Sequence, residues 1–227
     1  MKVSVVIPAY NEEKFIKKCL TSVTNQVVPA DEIIVVNNNS TDKTVEIAIK
    51  FGARVVDEKK QGMIPARNRG FNSAKYEIIA RCDADTIVPK DWIKIIKNNF
   101  KKGDIDGLSG PVFFNDSTIF KSTSTLPSRL ALGSLKLMSK GKRHLIGPNM
   151  AITKNIWGKV KDIVNPDDKK VHEDMDLSLK IAKAHGRIGY DPTLIVGISA
   201  RRLKKHPESF FLEYPVRIVK TFLANKK

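Results

Sequence analysis

Cysteine is scarce in this sequence, with only Cys19 and Cys82 among 227 residues. Two cysteines far apart in the chain exclude a disulfide framework and a four-cysteine zinc site, and they favour a reducing, cytoplasmic setting. No run of about 18 apolar residues occurs, so no segment is predicted to span a bilayer. The apolar run at residues 3–9 is shorter than the core of a signal peptide and is soon followed by Glu12 and Glu13, so we expect no export.

Acidic residues are also few relative to basic ones. The sequence has 24 Asp and Glu and 40 Lys and Arg, which gives a net charge of +16. Residues 117–161 contain nine bases and no acid, and residues 199–227 contain eight bases and two acids, so these two segments carry fifteen of the sixteen charges. Such an excess predicts a polyanionic partner or an anionic surface, with a solvated lysine-rich surface as the alternative. The composition, 41% hydrophobic and 28% charged, excludes a disordered or fibrous chain and predicts a single domain over residues 1–227.

Strand-like and helix-like patterns alternate in the first half. Strands are predicted at 2–8, 32–36, 54–56 and 76–82, and helices at 11–26, 40–51, 61–74 and 89–100. This alternation predicts a Rossmann-like α/β fold with a doubly wound, mostly parallel sheet.

Beyond about residue 104 the pattern becomes irregular. It predicts a strand near 108–114, a leucine-rich segment at 126–138, a short strand near 149–152, a helix at 171–185, a strand at 194–198 and an amphipathic helix from residue 207.

Polar residues follow the predicted strands, at the edge where parallel α/β sheets bind ligands. The fourth strand ends in Asp83 and Asp85, whose i, i+2 spacing in an extended segment points both carboxylates to one side. Carboxylate oxygens are the ligands that Mg²⁺ and Mn²⁺ prefer, and such ions keep open positions for phosphate oxygens. A divalent metal site is therefore predicted at Asp83 and Asp85.

Six short motifs occur in order along residues 2–200. They are VIPAYNEE at 6–13, NNSTDKT at 38–44, ARNRG at 66–70, DAD at 83–85, GPNMA at 147–151 and HEDMDL at 172–177. In this order and spacing the chain resembles a family 2 glycosyltransferase with the GT-A fold. The resemblance implies a donor-binding half at 1–104, an acceptor-binding half at 105–200 and a basic amphipathic tail at 201–227.

The same resemblance implies a nucleotide-sugar donor, with a UDP-sugar favoured and a GDP-sugar as the other candidate. Many relatives have Asp where this chain has Asn37, and an amide can donate as well as accept a hydrogen bond, so the base stays open. A bound Mn²⁺ or Mg²⁺ would neutralise charge on the departing nucleoside diphosphate. The residues implied or nominated for donor and metal binding are Pro8, Ala9, Tyr10, Glu12, Asn37, Asn38, Arg67, Asp83, Ala84, Asp85, Arg201 and Arg202.

The acceptor hydroxyl needs a general base, and the resemblance nominates Asp174 with Glu173 in support. One base with no second carboxylate as nucleophile implies direct displacement with inversion. The acceptor-binding residues implied are Gly147, Pro148 and Asn149. The acceptor is expected to be a glycan or a polyprenyl-linked acceptor, reacting through a hydroxyl or a lipid phosphate, in cell-surface glycan or lipid-linked sugar synthesis.

The last segment combines apolar and basic residues, which favours either packing on the domain or peripheral attachment to the inner face of an anionic membrane. Its apolar stripe consists of Phe211, Tyr214, Ile218, Val219, Phe222 and Leu223. His206 is a candidate additional metal ligand.

Two other functions stay open. A nucleotidyltransferase shares the strand-end carboxylates, but it should have a glycine-rich, basic loop after the first strand, where this chain has Glu12 and Glu13. A basic nucleic-acid-binding module would explain the charge but not the carboxylates, so nucleic acid is not the expected partner.

Overall fold

The computed structural model describes residues 1–116, 125–139, 141–201 and 213–225. The strands are β1 (Val3–Ala9), β2 (Glu32–Asn37), β3 (Arg54–Asp57), β4 (Ile78–Arg81), β5 (Gly107–Ser109), β6 (Val112–Phe114), β7 (Met150–Thr153), β8 (Ile188–Tyr190) and β9 (Val196–Ile198). The helices are α1 (Ile16–Thr24), α2 (Thr44–Lys50), α3 (Met63–Ser73), α4 (Trp92–Lys101), α5 (Leu126–Met138), α6 (Lys154–Val160), α7 (Glu173–Lys183) and α8 (Tyr214–Ala224).

Seven strands form the main sheet in the order β3-β2-β1-β4-β7-β5-β8. All neighbouring pairs are parallel except those of β7, which runs antiparallel to both β4 and β5. A second, two-stranded sheet pairs β6 with β9 in parallel. The predicted doubly wound, mostly parallel sheet is therefore confirmed. Its antiparallel strand, β7, lies in the second half of the chain, where the sequence no longer alternates between strand and helix patterns.

The central strand β1 is buried on both faces because its residues are apolar on both. Val5 and Ile7 belong to the core beneath α1 and α4, and Val6 belongs to the core beneath α3, α6 and α7. Gly70 allows α3 to lie close to the sheet, because a Cβ atom there would stand 2.3 Å from Val6 Cγ1. Each core covers one face of the sheet, so the strands cannot slip in register without exposing apolar side chains.

The order of the strands reverses at β1. The chain proceeds from β1 to β2 and β3 on one side, then returns to place β4 on the other side, with Val3 opposite Ile78 and Val6 opposite Arg81. Such a reversal leaves a crevice beyond the carboxyl ends of the two strands, because their following loops diverge.

The strand predicted near 108–114 is in fact two strands in different sheets. β5 ends at Ser109, and β6 begins at Val112 after Gly110 and Pro111. A Cβ atom on Gly110 would lie 2.0 Å from the Leu194 carbonyl oxygen, so the backbone crosses another segment at this point, and proline cannot donate to a ladder. Neither the short β8 nor α6 was predicted.

Residues 202–212 lie outside the described part of the chain. The described portion of the helix predicted from residue 207 is therefore α8. α8 contacts α7 and the residue before it through two polar residues: Thr221 accepts the His172 amide at 2.7 Å, and Asn225 donates to Asp176 in α7 at 3.0 Å. Among the described residues, no helix combines the length and the apolar character that a membrane span requires.

Candidate functional site

A cleft of about 380 Å³ opens beyond the ends of β1 and β4, at the reversal of strand order. Its floor comes from the segments after β1 and β4, and its walls come from the start of α3 and from β6 and β9. Nine of the residues nominated from the sequence line it: Pro8, Ala9, Tyr10, Glu12, Asn38, Asp83, Ala84, Asp85 and Arg201. The nominated acceptor residue Pro148 also lines it.

The loops after β1 and β2 are tied to each other. Asn11 adopts a left-handed conformation (φ 52°), and its side-chain oxygen accepts the Thr41 amide at 2.8 Å. The Glu12 amide donates to Thr44 Oγ1 at 2.7 Å. These bonds place the Glu12 side chain in the cleft and leave the Tyr10 ring half exposed at its edge.

Asn38 shapes the rim of the cleft through its amide. Its Nδ2 donates to the carbonyl oxygens of Glu58 and Lys60 at 2.9 and 2.8 Å, and its Oδ1 accepts the Gly62 amide at 2.9 Å. Asn38 thus holds the loop that leads into α3. The neighbouring Asn37 does not line the cleft; its amide donates to Asp57 at 2.8 Å instead.

Asp85 lies in the cleft as part of a charged cluster with Glu12 and Arg201. The Arg201 guanidinium contacts both carboxylates, at 3.1 Å from Asp85 Oδ2, and stacks 4.4 Å above the Phe15 ring. Burial and the nearby charges of Asp83 and Glu12 raise the pKa of Asp85 to about 6, although Arg201 opposes the shift. The cleft therefore concentrates negative charge that a cation stabilises.

The residues at this end of the cleft suit a hard divalent ion. Glu12 Oε2 is buried and has no hydrogen-bond partner within the described part of the chain, and Asp85 already binds one cationic group. Within that same part, no three acidic, histidine or cysteine side chains converge to hold a metal alone. Two carboxylates can nevertheless serve when diphosphate oxygens and water supply the remaining ligands.

A second charged network lies beneath the cleft. Glu173, 4% exposed, places its two carboxylate oxygens against Arg67 Nη1 at 2.9 Å and against Arg81 Nη1. Arg81 also contacts Asp83 Oδ1 at 3.0 Å. Two guanidinium groups and two carboxylates thus alternate from α3 to the loop after β4, and each buried charge has an opposite partner.

This network places two nominated residues differently from the sequence-based expectation. Arg67 is fully buried, with its guanidinium on Glu173 and Asn68, and does not reach the cleft. Glu173 does not line the cleft either, and both of its carboxylate oxygens are occupied.

Asp174 lies beside the cleft, at the first turn of α7. Its Oδ2 accepts the Gly147 amide at 3.0 Å, and its Oδ1 lies 2.5 Å from His172 Nδ1. Burial alone would raise the pKa of Asp174, but the His172 charge and hydrogen bonds from His172 and Gly147 outweigh burial and lower it to about 2. The next residue after Gly147 is Pro148, so this carboxylate stands one residue from the cleft wall.

The other nominated acceptor residues have different surroundings. Gly147 packs on the network, since a Cβ atom there would lie 3.1 Å from Glu173 Oε1. Asn149 is fully buried: it accepts from Trp92 Nε1 and donates to the carbonyl oxygens of Pro111 and Leu194, so its amide holds the core together. Arg202 and His206 lie outside the described residues.

Several cleft residues were not nominated from the sequence, among them Arg81, Gln61, Gly62, Met63 and Ser199. Arg81 alone carried a usable signal, because a charged residue inside an apolar strand must find an opposite charge when buried. The others lie in loops or at the first residue of α3, where the course of the chain depends on tertiary contacts. The start of α3 is one example, because the distant Asp168 side chain accepts the Met63 and Ile64 amides at 2.6 and 2.8 Å.

The fold and this site define an α/β protein with a ligand cleft at the reversal of its sheet. The family model for glycosyl transferase family 2 matches residues 4–157. The chain therefore belongs to glycosyl transferase family 2, as the order of its motifs predicted.

Two curated relatives show the range of similarity. A poly-beta-1,6-N-acetyl-D-glucosamine synthase of Staphylococcus epidermidis is 29% identical over 201 residues, which cover 84% of this chain and 48% of that protein. Glycosyltransferase AglE of Haloferax volcanii is 35% identical over 120 residues, 49% of this chain and 40% of that protein. The chain spans about half the length of these relatives.

Solved structures of similar fold confirm the GT-A prediction. Mannosyltransferase PcManGT from Pyrobaculum calidifontis, in complex with GDP-Man and Mn²⁺, has a TM-score of 0.76 at 19% identity and covers 98% of this chain and 63% of its own. S. aureus TarS 1–349 in complex with UDP-GlcNAc has a TM-score of 0.66 at 24% identity and covers 86% of this chain and 57% of its own.

We predict that Glu173→Gln destabilises the fold by about 3–5 kcal/mol, because it removes the charge that two buried guanidinium groups share. Urea unfolding followed by circular dichroism measures the loss. The control is Glu46→Gln, which breaks an exposed pair with Lys50 and should leave the midpoint unchanged. Equal midpoints for the two variants would show that the network does not stabilise the fold.

Proposed function

We propose that this protein transfers a sugar from a nucleotide-sugar donor to a hydroxyl or lipid-phosphate acceptor, with inversion at the anomeric carbon. The observation that carries the proposal is the cleft at the reversal of the sheet, where Asp83 and Asp85 meet Glu12 and Arg201. The carboxylates of this site suit a metal ion. The long, positively charged side chain of arginine suits a diphosphate.

The donor would lie along the ends of β1, β2 and β4. The half-exposed Tyr10 ring offers a surface for the nucleobase, and Asn38 fixes the loop opposite it. Similar structures bind GDP-Man and UDP-GlcNAc, which supports a nucleotide-sugar donor of the UDP or GDP type. A UDP-sugar is our first choice.

Asp85, with Asp83, would hold Mn²⁺ or Mg²⁺, and Mn²⁺ is present in the similar structure of mannosyltransferase PcManGT. When bound, such an ion stabilises the negative charge of the leaving nucleoside diphosphate. Arg201 would then exchange its contacts with Glu12 and Asp85 for diphosphate oxygens, because a guanidinium can bind phosphate through two parallel N–H donors.

Asp174 would act as the general base. Each of its carboxylate oxygens accepts one hydrogen bond in the structure, and each oxygen has a second lone pair for the acceptor hydroxyl. Glu173 would support it by fixing the first turn of α7 to Arg67 and Arg81. Attack from the side opposite the leaving group inverts the anomeric centre, and Pro148 would contact the acceptor.

Two observations favour glycosyl transfer over the alternatives. The loop after β1 presents Glu12 to the cleft, whereas a nucleotidyltransferase needs a glycine-rich, basic loop at that place. The cleft itself is acidic, which disfavours a nucleic-acid strand in it.

Metal-dependent donor binding tests the proposal. By calorimetry, UDP or GDP should bind the wild type at least about tenfold more tightly with Mn²⁺ than with EDTA. Asp85→Asn should bind equally weakly in both, because it lacks the ionised carboxylate. The control Asp91→Asn changes an exposed carboxylate at the start of α4 and should behave as wild type. Equal affinity of the wild type in Mn²⁺ and EDTA would contradict the metal role.

We also propose that the protein acts at the inner face of an anionic membrane, through an apolar surface formed by α5 and α8. In the described part of the chain twelve large apolar side chains are exposed, and six of them lie on these two helices. They are 52–84% exposed: Leu126, Leu130, Leu137, Val216, Val219 and Leu223.

The helical spacing places each set of three on one face. The end of α5 lies near α8, because Ser139 bonds to His144 at 2.8 Å and the His144 ring contacts the Phe222 ring at 6.5 Å between centroids. The opposite face of α8 carries the buried Thr221. The helix therefore packs on the domain and exposes an apolar face at the same time, so both sequence-based interpretations of the tail find support.

Basic side chains border this surface, including the exposed Arg129, Lys136 and Lys220. Each basic residue near an anionic bilayer contributes about 1 kcal/mol, reduced by screening over about 8 Å in physiological salt. Apolar contact together with these charges would give reversible attachment, close to a polyprenyl-linked acceptor.

The membrane proposal predicts that the protein co-sediments with phosphatidylglycerol-containing vesicles at low salt and is released at high salt. Leu130→Ser with Leu137→Ser and Leu223→Ser should reduce binding at least about tenfold, since burial of each leucine contributes about 1.5–3 kcal/mol. The control Ile49→Ser alters an exposed residue of α2 and should bind normally. A wild-type protein that stays in the supernatant would exclude this surface and favour an unattached acceptor.

A further inference from the structure

His172 makes the closest contact to the Asp174 carboxylate. Its Nδ1 atom lies 2.5 Å from Asp174 Oδ1, and the histidine side chain is 15% exposed. On the other side, the Gly147 amide donates to Oδ2 at 3.0 Å. The carboxylate is thus held at both oxygens, which fixes its plane as well as its position.

The backbone of His172 is fixed from a different element. Its amide donates to Thr221 Oγ1 of α8 at 2.7 Å, and the Thr221 hydroxyl donates in turn to the Arg217 carbonyl oxygen at 2.6 Å. Thr221 is fully buried, so water does not compete for these bonds. The backbone of the residue before α7 is therefore held by α8, which fixes the position from which the ring reaches Asp174.

We propose that His172 is a positioning residue that orients Asp174 for proton abstraction and sets the pH at which Asp174 can act. This inference rests on the proposed function, because it assumes that Asp174 is the general base. It assigns a role to a residue outside the Glu-Asp pair that the sequence nominated.

The proton can be followed through the step. The acceptor oxygen forms a bond to the anomeric carbon, the bond between that carbon and the phosphate oxygen breaks, and the acceptor proton moves to Asp174. The nucleoside diphosphate leaves with the electron pair. A neutral His172 that donates from Nδ1 orients Asp174 and leaves it basic, whereas a protonated His172 stabilises the carboxylate and makes it a weaker base.

The surrounding charges determine when His172 loses its proton. Burial alone lowers the pKa of His172, but the charges of Asp174 and Glu173 and the hydrogen bond to Asp174 outweigh burial and the opposing charge of Arg217, so the pKa is raised. Arg81 adds to the stabilisation of the Asp174 carboxylate. The rate of transfer should therefore rise with pH through a midpoint above the ordinary histidine value of about 6.5.

Imidazole NMR tests the pair without substrate. In the wild type the His172 signal should titrate above the ordinary range, and in Asp174→Asn its midpoint should fall by at least about one pH unit, a tenfold change in proton affinity. The exposed His185, after the other end of α7, gives an internal reference in the same spectra. An unchanged His172 midpoint in Asp174→Asn would overturn the proposal.

Donor hydrolysis with water as acceptor, using Mn²⁺ and either UDP-GlcNAc or GDP-Man, tests the role in catalysis. His172→Asn keeps an N–H donor near the position of Nδ1, so it should retain turnover but lose the rise with pH. His172→Ala removes the group that orients Asp174, so it should reduce kcat by on the order of 10²-fold and leave donor affinity unchanged. His185→Asn is the control and should match the wild type.

The outcomes separate the two claims. Near-normal hydrolysis in Asp174→Asn would contradict Asp174 as the base and with it the proposed mechanism. Loss of hydrolysis in Asp174→Asn, combined with wild-type rate and pH profile in both His172 variants, would leave the mechanism standing and refute the positioning role.

Discussion

Glu173 holds its carboxylate between two buried guanidinium groups, and the geometry of the site depends on this contact. Arg67 belongs to α3 and Arg81 to β4, so one side chain of α7 joins three elements. Removing one partner of such a network leaves an uncompensated buried charge, which costs several kcal/mol, whereas the intact network contributes less net stability than its contacts suggest. Its main effect is to specify how the two halves of the chain meet.

Two consequences follow for the chemistry. Arg81 extends the network to Asp83, so the loop that carries Asp85 is fixed from below. The first turn of α7 is fixed as well, which brings Asp174 to the Gly147 amide beside the cleft wall. The residues proposed for donor and acceptor chemistry thus depend on one buried carboxylate that touches neither substrate. A site assembled in this way is preorganised, because packing and not substrate sets its geometry.

The first half of the fold could be predicted because its periodicity is local: β1, β2 and β4 are apolar on both faces, and their polar ends mark the cleft. The partners of Arg67 and Glu173 could not be predicted, because residues 106 positions apart meet only through the tertiary fold. Asn149 was nominated as an acceptor residue by the resemblance of its motif to the family, yet burial gives its amide a structural role. The change of sheet at Gly110 and Pro111 could not be predicted, because both strands lie in one apolar run. The exposure of α5 could not be predicted either, because it depends on neighbours that a sequence does not identify.

We propose that the strand-end carboxylates hold the metal and diphosphate of a sugar donor. Anomalous diffraction from crystals grown with Mn²⁺ and UDP or GDP tests it most directly. We expect a manganese peak at Asp85, the diphosphate in the cleft, and Arg201 moved from Asp85 to the phosphate oxygens. A manganese peak away from the ends of β1 and β4, or a nucleotide bound elsewhere with Arg201 still on Asp85, would contradict it.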